Sequence, residues 1–97
     1  MSLSVRWTRR ALNRLDDIGG YIAKDNPEAA RRVVGGIVAA VATLRDYPAL
    51  GRLGRLAGMR ELVITGTGYI VAYRVHNHDL EILTILHGAQ QWPESNH

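Results

Sequence analysis

Three short apolar runs separated by two tight turns constrain this chain more than any other feature. They lie in GMRELVITGTGYIVAYRVHNHDLEILTILHGAQQWP, from Gly58 to Pro93. Residues 59–65, 69–75 and 80–87 read as strands. The turns between them, Gly66-Thr67-Gly68 and His76-Asn77-His78-Asp79, carry residues with hairpin chemistry. Such a series closes into an antiparallel sheet, so what precedes it must cover at least one face of that sheet.

The first half supplies the cover. Residues 3–7 read as a short first strand. Thr8 is placed to cap a helix, because its hydroxyl can accept from an unpaired N–H of the first turn. Ala11, Leu12, Leu15, Ile18 and Ile22 then recur at helical spacing. Gly19-Gly20 weakens that helix by about 1 kcal/mol per glycine relative to alanine, and invites close approach of another backbone. Asn26-Pro27 starts a second helix, with proline at the first helical position. This helix runs to about Arg45, with Ala30, Val33, Val34, Ile37, Val38, Val41 and Leu44 inward. The short connection makes the helices antiparallel neighbours. Residues 49–58, ALGRLGRLAG, read as a loop. The predicted order is β-α-α-β-β-β: an α+β domain spanning residues 1–97, with a two-helix hairpin on one face of a small, mainly antiparallel sheet.

Two helices cover one face only. On the middle strand Tyr69, Val71, Tyr73 and Val75 share one face, while Ile70, Ala72 and Arg74 share the other. In the last strand, strict alternation sets Ile82, Thr84 and Leu86 opposite to Leu83 and Ile85. Both faces carry apolar residues, so the far face is expected to meet something outside the chain.

Composition narrows the chemistry. The 97 residues hold no cysteine, and so no disulfide framework or thiolate site. No segment approaches the ~20 apolar residues of a membrane span, no signal peptide is evident, and a soluble cytoplasmic protein is expected. A net charge of +3 is mildly basic and biases encounters towards nucleic acid or an acidic protein. Two readings are open for most candidate residues. His87 is a general acid or base by its titration range, or a structural histidine at a strand end. His76 and His78 flank a turn, but two ligands without a third do not make a metal site, and no cofactor is implied. Arg60 can bind phosphate or a target carboxylate, or pair with a neighbouring acid. Arg74 points to the far face, towards a partner or solvent. Arg52 and Arg55 form a basic loop. Trp7 and Trp92 read as packing anchors, Trp92 alternatively as an interaction residue.

Five stretches together resemble the RelE/ParE superfamily of toxins from type II toxin–antitoxin systems. They are VRWTRRALNRLDDIGGYIAKDNPEAA, YPALGRLGR, MRELVI, GYIVAYRV and LHGAQQWP, and they cover almost the whole chain. The superfamily holds two mechanisms on one fold: RelE-type members cleave mRNA on the ribosome, and ParE-type members poison DNA gyrase. RelE-type nucleases place basic residues where this chain has Glu61, Val63, Ile70 and Gln90. Cleavage needs positive charge to stabilise a phosphorane-like transition state, so these positions argue against it. YIVAYRV and the His-Gly-x-Gln ending resemble the ParE branch.

The resemblance implies a gyrase inhibitor with no catalytic residues. It also implies a ParD-like antitoxin that wraps the chain and folds on binding, in a hetero-oligomer meeting DNA only through that antitoxin. Val63, Ile70, Ala72, Arg74 and Ile82 are the expected antitoxin contacts. The alternative is a ribosome-dependent mRNA endonuclease using Arg60, Arg74 and His87. A third reading is a degenerate, non-toxic member kept as an antitoxin partner.

Overall fold

Local capping sets where both helices begin. The computed structural model describes residues 2–88, as β1 (Ser4–Trp7), α1 (Arg9–Ala23), α2 (Pro27–Asp46), β2 (Arg52–Leu53), β3 (Arg60–Ile64), β4 (Tyr69–His76) and β5 (Asp79–His87). Thr8 Oγ1 accepts from the Ala11 N–H at 3.1 Å. Asn26 Oδ1 accepts from the Ala29 N–H at 3.0 Å, and Pro27 opens α2. Between the helices, a Cβ on Gly19 would lie 3.2 Å from Val34 Cγ2, whereas one on Gly20 would meet open space. Only the first glycine therefore serves the helix contact, and what it accommodates is a side chain.

The sheet has five strands in the order β1-β5-β4-β3-β2. β1 runs parallel to β5, and the other neighbours are antiparallel. The fifth strand is β2, inside the stretch expected to be a loop. Two residues carry no period that a sequence pattern can reveal. Arg52 pairs with Glu61 and Leu53 with Arg60.

β5 departs from strict alternation. Ala72 pairs with Thr84 but Tyr73 pairs with Ile82, which leaves Leu83 as an extra residue in a bulge. Thr8 sits against this bulge. Its N–H donates to the Ile82 carbonyl at 3.1 Å, and its hydroxyl lies 2.8 Å from the Ile82 oxygen and 3.0 Å from that of Leu83. Ile82 and Ile85 consequently both face the helices, although three positions apart.

The main core lies between helices and sheet. It joins Ala11, Ile18, Ile37, Val41 and Leu44 to Ile64, Val71, Tyr73, Leu80, Ile82 and Ile85, with Trp7 packed at its margin. Met59, Ile70, Ala72 and Leu86 form a second, smaller cluster with Leu83 against it. Ile70 and Ala72 stand on the far face, as the alternation of β4 predicts.

Two expectations are corrected here. Ile82 is not on the far face: it is 0% exposed beneath the helices, because the bulge at Leu83 shifts the pattern. Nor are Ile70 and Ala72 an open apolar surface, since both are buried within the chain. Val63, 48% exposed, is the large apolar side chain on that face of β3 still available to a partner.

Candidate functional site

Alternation along β4 sends Arg74 to the far face, and pairing with β5 gives it a partner. Arg74 stands opposite Glu81, and its Nε–H donates to Glu81 Oε1 at 2.6 Å. On the other side of β5, Arg6 of β1 is in register with Glu81 and lies 3.3 Å from Oε2. The hydrogen bond from Arg74 holds the Glu81 carboxyl below its ordinary range. Partial burial opposes this, while the positive charges of Arg74, Arg6 and His76 add to it.

A carboxyl with a lowered pKa stabilises the fold when ionised, and that contribution disappears as pH falls through the lowered value. Wild type should be more stable than Glu81→Gln at neutral pH. The difference should shrink as pH falls below about 4.5, the ordinary value. Urea unfolding midpoints of both proteins across an acid series check this. A difference that stays constant through the series would contradict it.

A second carboxylate anchors the other side of the face. Glu61 of β3 is 2% exposed, yet it is ionically paired twice: Arg52 Nη2 lies 3.2 Å from Oε1 and Arg55 Nε 3.4 Å from Oε2. Burying a carboxylate is costly unless it is paired, so the basic loop of the sequence is the counterion of Glu61.

The alternative catalytic residues do not converge. Arg60 is in register with Tyr73, whose ring is in the helix-side core, and its Nη1 donates to the Gly51 carbonyl at 2.7 Å. Arg74 is on the opposite face. His87 is in register with Tyr69, and the two rings meet edge to face with centroids 5.3 Å apart. Tyr69 and Tyr73 are four positions apart on β4, about 13 Å of strand. His87 lines a cleft of about 370 Å³ with Arg14, Asp17, Ile18, Tyr21 and Tyr69. Neither Arg60 nor Arg74 belongs to it. Gln90 and Trp92 lie outside the described residues.

Sequence reasoning missed Glu61 and Glu81 as the organising groups of the far face. Alternation from Arg74 and Glu61 was the available signal, but their partners come from distant segments. Among the described residues, no group of three or more His, Cys, Asp or Glu is placed to hold a metal ion, and no helix is long and apolar enough to cross a membrane.

This two-helix, five-strand arrangement has known counterparts. The family model described as ParE toxin of the type II toxin–antitoxin system parDE matches residues 5–92. The chain belongs to the ParE toxin family. The resemblance read from the sequence therefore holds. The toxin is 56% identical over 90 residues to a Sinorhizobium fredii protein named "Putative toxin Y4kP", covering 93% of each chain. It is 38% identical over 86 residues to Toxin RelE2 of Caulobacter vibrioides, covering 89% of this chain and 96% of the relative. Among solved structures, the chromosomal ParDE system of P. aeruginosa matches with a TM-score of 0.79 at 30% identity, over 87% of this chain and 94% of that one. A mutant of the E. coli toxin RelE in the free state matches with a TM-score of 0.68 over 88% of this chain and 82% of that one. At 13% identity this second match speaks to fold alone.

Proposed function

We propose that this toxin inhibits DNA gyrase by direct protein contact in the cytoplasm, performs no chemistry of its own, and is neutralised by a ParD-like antitoxin. The observation that carries the reading is the separation of Arg60, Arg74 and His87 over two faces and two ends of the sheet. Glu61 adds to it, because an anionic group stands where a nuclease needs a cation. Phosphodiester cleavage requires positive groups aimed at one developing charge, and Arg60 and Arg74 instead stand on opposite faces of the sheet, held by the Gly51 carbonyl and by Glu81. The ParDE match supports the antitoxin half of the proposal. Val63 and Arg74 are the exposed members of the expected antitoxin surface. Ile70 and Ala72 back that surface from beneath, and Ile82 has no part in it. The assembly is a toxin–antitoxin hetero-oligomer that touches DNA only through the antitoxin.

The Caulobacter relative named RelE2 favours a second reading, a ribosome-dependent mRNA endonuclease. Translating extracts separate the two. With this toxin added, full-length mRNA should persist while supercoiling by purified gyrase falls. Cleaved mRNA that disappears with His87→Ala, together with unaffected gyrase, would establish the nuclease instead.

A further inference from the structure

The far face carries a band of charge across the full width of the sheet. Arg6, Glu81 and Arg74 stand side by side on β1, β5 and β4. Two positions further along, Glu61 and Arg52 continue on β3 and β2, with Arg55 on the same carboxylate. Both glutamates are nearly buried and each arginine is about half exposed: side-chain exposures are 63%, 49%, 58% and 41% for Arg6, Arg74, Arg52 and Arg55, against 11% and 2% for Glu81 and Glu61, while Asp79, 35% exposed, lies 3.9 Å from Arg6 at the edge of the band. The glutamates thus hold the inner edges of two guanidinium pairs, and the outer edges form a fixed cationic surface. Four arginines meet three carboxylates, Glu81, Glu61 and Asp79, so the band keeps one net positive charge after its internal pairing, with the excess at Arg52 and Arg55.

We infer that this band is a docking site for an acidic, extended segment of the antitoxin, whose carboxylates bind the outer edges of the two arginine pairs. The inference rests on the antitoxin reading above. Charge complementarity selects the chemistry, and guanidinium geometry favours carboxylates that can bind two N–H groups at once. The described residues of this face include neither tyrosine nor tryptophan, so a single-stranded nucleic acid would find no broad stacking platform. The spacing also follows. Arg74 and Arg52 are two strands and two residues apart, roughly 12 Å. An extended partner spans that distance in about three to four residues, so its acidic residues should recur at that interval.

Removing the negative charge of Glu81 should weaken binding of an acidic partner, because Arg6 and Arg74 lose their anchor. Simple charge counting predicts the reverse. The test is the Kd of the purified toxin for the antitoxin encoded beside it, at low and high salt, with folding of each variant verified by circular dichroism. Arg74→Ala and Arg52→Ala should each weaken binding about tenfold at low salt and less at high salt. Arg74→Lys should fail to restore it, and folded Glu81→Gln should also bind more weakly than wild type. Arginine variants that bind like wild type, or a Glu81→Gln protein that binds as tightly or more tightly, would overturn the inference and leave the antitoxin reading standing. A wild-type toxin that does not bind the antitoxin sinks both. Arginine-dependent binding of a short RNA or duplex DNA in place of the antitoxin would reassign the band to nucleic acid.

Discussion

Ile82→Ala is expected to destabilise the toxin by about 2–5 kcal/mol, the range for a large aliphatic side chain removed from a close-packed core. Ile82 is fully buried between α-helices and sheet, paired with Trp7 on one side and Tyr73 on the other. Its carbonyl accepts from the N–H and hydroxyl of Thr8, so the side chain sits where β1, β5 and the start of α1 are joined. Relaxation into the vacated volume would have to move all three. Val63→Ala is the control: a half-exposed side chain on the far face should cost under about 0.5 kcal/mol. Urea unfolding of both variants checks the pair. Equal, small losses would mean that Ile82 is not in the core and that the alternation without a bulge was correct.

The second large effect is expected at Gly51. Tyr73 is buried, and its hydroxyl donates to the Pro48 carbonyl at 2.7 Å and accepts from the Gly51 N–H at 2.8 Å. Burial raises the pKa of this hydroxyl, with the Gly51 hydrogen bond and the Arg60 charge opposing the rise. A Cβ on Gly51 would stand 2.5 Å from Tyr73 Oη, 2.8 Å from Tyr73 Cε1 and 2.9 Å from the Glu61 carbonyl. None of these atoms is at the end of a flexible chain. Gly51→Ala should therefore cost about 1–3 kcal/mol or somewhat more through overpacking, with β2 and its Arg52 displaced. Tyr73→Phe removes the closest of the three atoms, so the double variant Gly51→Ala/Tyr73→Phe should be more stable than the two single losses add up to. Strict additivity in thermal unfolding would show that the two residues do not compete for space.

What the sequence made legible was local. Thr8, Asn26 and Pro27 announce the helix starts because a cap acts within one turn. The faces of β4 follow from its own alternation. β5 misled because Leu83 is apolar and continues the pattern by eye, while the bulge that flips it is stabilised by Thr8, 75 residues away for Leu83. β2 is too short for any period. The far face looked like an unpartnered apolar surface because sequence alone does not place Met59 against Ile70, Ala72 and Leu86. Nor does it pair Arg6 with Glu81 across 75 positions. The scatter of Arg60, Arg74 and His87 was hidden for the same reason: opposite faces and opposite ends are properties of register.

The most direct measurement is supercoiling by purified gyrase titrated with this toxin, alone and with antitoxin. A protein that acts by binding alone should abolish supercoiling in proportion to the gyrase present, leave the plasmid substrate free of breaks when gyrase is omitted, and lose its effect when antitoxin is added. Supercoiling that continues unchanged at a large molar excess of folded toxin would contradict the account.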